Sequence, residues 1–217
     1  MSKAPVQGVI FDLDGVLVHT DELHFRAWAQ IAAELDIPFD RTVNARLRGV
    51  SRAESLDRLL ACKPNLSVSE QEKEALCRRK NELYRTSLML LKPEDVPDAV
   101  RSVLELLRER GIRIAVGSSS RNAGLILQRT GLDAVFDAVA DGTMISASKP
   151  DPDVFLRAAE LLHLEPCRCA VVEDAPAGIL AAHRAGMLAI GLGAYAAAED
   201  AKPDILLTRL DDLTHYL

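Results

Sequence analysis

Aromatic side chains are scarce: Phe, Trp and Tyr together make up 4% of the 217 residues, with a single Trp. A chain so poor in rings lacks the stacking platforms on which single-stranded nucleic acids are held. An excess of positive charge is missing too. With 26 Lys and Arg against 32 Asp and Glu, the formal net charge is −6, so there is no general electrostatic pull toward nucleic acid. Long apolar runs are absent. The most conspicuous uncharged stretch, Ala185 to Ala198, has 14 residues, short of the ~20 that span a bilayer. The first apolar run, Val9-Ile10-Phe11, is cut by Asp12 before it can form the core of a secretory signal. Cysteine is limited to Cys62, Cys77, Cys167 and Cys169. With no secretory signal these are expected to be reduced thiols of a cytoplasmic protein, and Cys167-Arg168-Cys169 lacks the second pair that a zinc site needs. The expected partner is therefore a small molecule, with no nucleic acid, no membrane and a monomeric chain.

What is present is an ordinary globular mixture, 48% hydrophobic and 27% charged, at a length that suits one large α/β domain or a domain carrying an insert. Short apolar runs at Gly8–Leu13, Ile112–Gly117, Ala134–Ala140, Ala170–Glu173, Leu188–Leu192 and, more weakly, Ile205–Thr208 are continuous rather than alternating. That pattern predicts strands covered on both faces, hence a parallel sheet. Helical periodicity lies between them, over Pro97–Arg110 with Gly111 as its stop, from Asp151-Pro152-Asp153 onward with Pro152 in the first turn, and over Ala177–Ala185. From Asp21 to about Leu90 the pattern changes to helices alone. Leu23, Ala27, Ile31 and Leu35 recur four apart, and Ser51-x-x-Glu54 and Ser69-x-x-Glu72 read as capping boxes. The expected architecture is a Rossmann-like parallel-sheet core, residues 1–17 and 91–217, with an all-helical cap, residues 18–90, inserted after the first strand.

Phe11-Asp12-Leu13-Asp14-Gly15 carries the most chemistry. An extended chain sends Asp12 and Asp14 to one side, at the carboxyl end of a central strand, where open α/β sheets bind ligands. Adjacent carboxylates repel and persist where a cation, a shared proton or chemistry requires them. An Asp-Gly turn is the plain alternative; a calcium loop fits poorly, because Val16 and Leu17 sit where oxygen ligands would follow. Glu173-Asp174 closes another buried run. Alone it reads as a helix cap, but the two acidic pairs together make a hard oxygen site suited to Mg²⁺. Four carboxylates would repel a phosphate ester unless cations intervened. Ser118-Ser119-Ser120-Arg121-Asn122 follows the second strand and opens a helix, either as an anion site or as a serine-rich cap; Lys149-Pro150 follows the third. A dinucleotide fingerprint, Gly191-x-Gly193-x-x-Ala196, is rejected because Ala197–Pro203 is too short for the helix that should follow.

In that order, Asp12-x-Asp14-Gly15, the Ser after strand two, Lys149-Pro150 and Glu173-Asp174 resemble the haloacid dehalogenase-like phosphotransferase superfamily. Phe11 to Val16, His24-Phe25-Arg26-Ala27-Trp28, Gly49-Val50-Ser51-Arg52, Arg79-Lys80-Asn81 and Ala147-Ser148-Lys149-Pro150 bring it nearer to the branch that interconverts β-D-glucose 1-phosphate and glucose 6-phosphate. The resemblance implies Mg²⁺ dependence and passage through β-D-glucose 1,6-bisphosphate and a phosphorylated aspartate. It makes Asp12 the nucleophile and Asp14 the general acid/base. The side chains of Asp12 and Asp174, the Asp14 carbonyl and Glu173 would hold the metal. Ser118 and Lys149 would grip the transferring phosphoryl, and Arg52, Ser120, Arg121 and Asn122 the other phosphate. His24 and Lys80 would reach the sugar from the cap, with Thr20 at the hinge. A phosphatase acting on small sugar-phosphate monoesters shares the same core motifs, and a non-catalytic sugar-phosphate sensor would keep less of them. Two positions depart from the pattern: His19 stands where an Asp is usual, and Arg121 where a Lys is usual.

Overall fold

The computed structural model describes residues 5–47, 50–197 and 201–217; Gly49 of the second cap motif and Ala198 of the uncharged stretch lie outside them. Six strands, β1 (Gly8–Phe11), β2 (Arg113–Gly117), β3 (Ala138–Ala140), β4 (Cys169–Glu173), β5 (Leu188–Leu192) and β6 (Ile205–Leu207), form one sheet in the order β3-β2-β1-β4-β5-β6. Every pairing is parallel. The run Val9-Ile10-Phe11 sits at the centre and is wholly buried. Its period of two divides it between two cores. Val9 and Phe11 pack with α5 (Asp98–Glu109) and α6 (Ala123–Thr130) on one face, whereas Ile10 packs with α7 (Asp153–Leu161) and α8 (Pro176–Arg184) on the other. Each fully buried aliphatic side chain of this kind contributes ~1.5–3 kcal/mol relative to exposure.

Between β1 and α5 the chain forms helices: α1 (Asp21–Glu34), α2 (Arg41–Ala45), α3 (Arg52–Leu60) and α4 (Glu70–Leu88). Trp28, Ile31, Ala32, Leu56 and Leu59 make a third cluster among them. The cluster is not sealed off from the rest, because Tyr84 and Leu88 of α4 join the core that β1 shares with α5 and α6. The order of turns in sequence sets the site: the loop after β1, the loop after β2, the segment after β3 and the loop after β4 all open at one end of the sheet.

Three local expectations are corrected. The third strand is only Ala138–Ala140, because Val135 closes a turn onto Leu132 (3.1 Å) and Asp137 places a carboxylate oxygen, not a carbonyl, opposite the Ile114 amide (2.8 Å). Ser51 caps α3 through the Glu54 amide (3.2 Å), but the reciprocal half of the box is not made, since the Glu54 carboxylate goes to Arg58 (2.5 Å). Ser69 and Glu72 of α4 make both halves. Pro152 stands at the cap of α7 rather than within its first turn.

Candidate active site

At the end of β1 the Asp12 amide donates to Val172 O (2.9 Å), so the ladder to β4 continues one residue past the strand and fixes where the Asp12 carboxylate points. Asp12 is 7% exposed. Lys149 is as deeply buried and donates to Asp12 Oδ1 (2.5 Å) and to Glu173 Oε2 (2.7 Å), with its ammonium 4.6 Å from the centre of the Phe155 ring. Burial alone would lower the Lys149 pKa, but the charges of Asp12 and Glu173 outweigh it and hold the ammonium protonated. The Glu173 carboxyl is pushed up by burial and by Asp12, and Lys149 pulls it back. Its other oxygen accepts from the Ala175 amide (3.1 Å). A Cβ at Gly178 would lie 2.1 Å from Glu173 Cδ, so only glycine lets α8 begin this close to that carboxylate.

Asp12, Glu173 and Asp174 bring carboxylate oxygens within 4.8 Å of one another. Three hard oxygen donors without Cys or His suit a small divalent cation such as Mg²⁺. The approach is shaped by Gly15, whose φ is +95° and whose Cβ, if present, would meet Asp174 Oδ2 at 2.2 Å. The Asp14 carboxylate stands outside this group. It accepts from the Thr20 hydroxyl and from the Tyr84 hydroxyl (3.3 Å). Burial, followed by the charge of Asp12, pushes its pKa up to about 6, against the downward pull of the Thr20 and Tyr84 hydrogen bonds. Thr20 is fully buried; it backs Asp14 and does not line the cavity.

The helical segment supplies the opposite wall. Lys80 and Tyr84 lie one turn apart on α4, and His24 reaches them from α1. Lys80 Nζ is 2.8 Å from His24 Nδ1, 4.6 Å from the Tyr84 ring centre and 5.2 Å from that of Trp28. The His24 and Tyr84 rings are 4.0 Å apart. Burial first, and Arg52 second, pull the Lys80 pKa down to about 7. Burial and the Lys80 charge hold His24 well below its ordinary value. His24 is therefore held neutral, with its Nδ1 and the Lys80 amine sharing one hydrogen bond. The Tyr84 phenol is held well above its usual range by burial and by Asp14, so it acts as a donor.

In the loop after β2, Ser118 Oγ accepts from the Ser120 amide (3.1 Å) and Ser120 Oγ from the Asn122 amide (3.2 Å). Arg121 Nε donates to Gly142 O (3.1 Å). Arg52, the first residue of α3, donates through Nη2 to Asn81 Oδ1 (2.7 Å). The same oxygen accepts from Asn122 Nδ2 (2.9 Å), and Asn122 Oδ1 accepts from Arg85 Nη1 (3.2 Å).

A single cavity of about 390 Å³ gathers Asp12, Asp14, His24, Arg52, Lys80, Ser118, Ser120, Arg121, Asn122, Lys149, Glu173 and Asp174. Every residue picked out in the sequence thus lines it, except Thr20. His19 is exposed and is not among the lining residues. Sequence reasoning missed Tyr84, Asn81 and Arg85. Tyr84 follows Lys80 by four and shares its helix face, which was the available signal. Asn81 stood beside Lys80 inside a motif already noted. Nothing marked Arg85.

The haloacid dehalogenase-like hydrolase family profile matches residues 6–186. A Bacillus subtilis protein named β-phosphoglucomutase is 43% identical over 210 residues, 96% of this chain and 92% of that protein. A Thermotoga maritima phosphorylated carbohydrates phosphatase is 32% identical over 184 residues, covering 84% of this chain and 82% of its own. Among solved structures, β-phosphoglucomutase from Clostridium difficile superposes with a TM-score of 0.89 at 33% identity, covering 96% of this chain and 93% of that one.

Proposed function

Because the chain belongs to the haloacid dehalogenase-like hydrolase family, we propose that it is a β-phosphoglucomutase, an Mg²⁺-dependent enzyme that interconverts β-D-glucose 1-phosphate and glucose 6-phosphate through β-D-glucose 1,6-bisphosphate. The observation that carries this reading is one cavity lined by two sets of phosphate-binding groups. Asp12 and Asp14, read as the nucleophile and its acid, line the same cavity as Arg52 and the Ser120–Asn122 loop, read as the grip on a second phosphate, and as His24 and Lys80. That arrangement suits a sugar carrying phosphate at both ends.

In the first half-reaction an oxygen of the Asp12 carboxylate attacks phosphorus, the phosphorus–sugar oxygen bond breaks, and Asp14 gives its proton to the departing sugar oxygen. In the second, a sugar hydroxyl attacks the phosphoryl on Asp12, the Asp12–phosphorus bond breaks, and Asp14 takes the hydroxyl proton. A carboxyl held at about 6 changes protonation state readily near neutrality, as both roles require. Lys149 neutralises Asp12 before attack and stays beside the transferring group. Asp12, Asp174 and Glu173 would hold Mg²⁺, with the Asp14 carbonyl; when bound, the ion neutralises charge on the phosphoryl oxygens.

Residues 18–90 are read as a cap whose closure excludes water, so that a sugar hydroxyl receives the phosphoryl. The reading includes a monomeric chain acting on a small sugar phosphate, and the net charge of −6 gives no general electrostatic pull toward nucleic acid. Among the described residues no helix is long and apolar enough to cross a membrane. The exposed thiols of Cys62 and Cys167 suit the reducing cytoplasm. A sugar-phosphate phosphatase is the second reading, favoured by the Thermotoga relative. The test supplies Mg²⁺, β-D-glucose 1-phosphate and a trace of the 1,6-bisphosphate. Glucose 6-phosphate well in excess of inorganic phosphate is expected; mostly inorganic phosphate would replace the mutase reading with the phosphatase one.

A further inference from the structure

Asn81 Oδ1 is the meeting point of two groups of donors that arrive from different parts of the chain. Arg52 Nη2 reaches it from the start of α3 at 2.7 Å, and Asn122 Nδ2 from the loop between β2 and α6 at 2.9 Å. Behind Asn122, Arg85 Nη1 donates to the other end of the same amide at 3.2 Å, which fixes which way the Asn122 amide faces. Asn122 is 4% exposed and is part of a chain of hydrogen bonds, since its amide N–H is already given to Ser120 Oγ. Arg52 and Asn122 are also the residues that the proposed function assigns to the phosphate remote from Asp12.

We propose that Asn81 is a positioning residue for that remote phosphate, its side-chain carbonyl holding Arg52 and Asn122 at the separation that receives the ligand. The inference rests on the functional reading above. A guanidinium has five N–H donors in a fixed fork, so anchoring one of them on Asn81 leaves the others for phosphate. Without the anchor, a long side chain must be ordered from many rotamers when the ligand arrives, and binding is weakened. The Asn81 acceptor is engaged by Arg52 and Asn122, so its effect belongs to binding rather than to the reacting atoms. Its acceptor also spans α3 and α4 on one side and the core loop on the other, so it sets how far the remote anion site stands from the nucleophile. The consequence is selectivity for the length of a doubly phosphorylated sugar.

The experiment measures KM and kcat with β-D-glucose 1,6-bisphosphate-activated β-D-glucose 1-phosphate. Asn81→Ala is expected to raise KM about tenfold, the size of a lost hydrogen bond to a charged group, while kcat at saturation falls less than about threefold. The same substitution made in an Arg52→Ala/Asn122→Ala background is expected to change KM by less than twofold, because the groups it positions are gone. A structural role alone would instead lower the melting temperature and act equally in both backgrounds. KM unmoved in the wild-type background, or an equal rise in both, overturns the inference while leaving the mutase reading intact. A wild-type chain that turns over no sugar phosphate removes the functional reading and the inference with it.

Discussion

Replacing Lys149 with methionine keeps most of the side-chain volume and removes one charge. In the folded chain that charge lies 2.5 Å from Asp12 Oδ1 and 2.7 Å from Glu173 Oε2, and all three groups are almost wholly shielded from water. Deleting one partner of a buried pair destabilises by ~3–5 kcal/mol, and here two carboxylates lose the same partner. For a chain of this length each kcal/mol shifts the melting temperature by ~2–4 °C, so a drop of about 6–20 °C is expected near pH 8. The pH dependence has a defined sign. Without the ammonium, burial and the Asp12 charge raise the folded-state pKa of Glu173 further above that of the unfolded chain, because the downward pull of Lys149 is gone. The native state then binds more protons than the unfolded one, and stability falls as pH rises above the ordinary carboxylate range. The deficit relative to wild type is therefore largest at pH 8 and smallest at pH 5. Thermal melts followed by circular dichroism at the two pH values, with chelator present, read both quantities. A change below about 2 °C at pH 8, or a larger loss at pH 5 than at pH 8, would refute the reasoning. Adding millimolar Mg²⁺ to the variant should return part of the loss by supplying positive charge to the same oxygens.

Asp12→Asn removes the attacking oxygen's charge, and no acid-stable or spectroscopic trace of phosphoenzyme should form with a small phosphoryl donor; phosphorylation at the wild-type rate would disprove its assignment as nucleophile. Thr20→Val deletes a hydrogen bond that favours ionised Asp14, so the limb of the kcat/KM profile near pH 6 should move to higher pH by about one pH unit; a limb that stays in place would separate Asp14 from that titration. Gly15→Ala forces a side chain onto a φ of +95° and to within 2.2 Å of Asp174. A stability loss of ~1–3 kcal/mol is expected, together with weaker Mg²⁺ binding by isothermal calorimetry; unchanged affinity would mean that Asp174 does not hold the ion.

The core half of the site was legible because its chemistry is local. Asp12 and Asp14 directly follow a buried apolar run, Glu173 and Asp174 end another, and Lys149 is marked by the proline that follows it. The sheet likewise announces itself through unbroken apolar runs, except at β3, where Asp137 enters the ladder with its side chain and shortens the strand. The cap wall was legible only through its motifs. Tyr84 meets Asp14 across 70 residues of chain, Asn122 meets Asn81 across 41, and Arg85 meets Asn122 across 37. Contacts of that separation are set by how the helical segment folds back over the sheet, and no pattern within a window of a few turns contains them. Thr20, by contrast, stands only six residues after Asp14, to whose carboxylate it donates.

Asp14 takes one hydroxyl from Thr20, immediately before α1, and another from Tyr84, near the end of α4. The Asp14 carboxyl is thus tied to both the first and the last part of the helical segment. Grafting a foreign helical segment onto this sheet would leave the Asp14 carboxyl mistuned unless both hydroxyls travelled with the graft. Any change to the helical segment is thus also a change in the surroundings of that carboxyl.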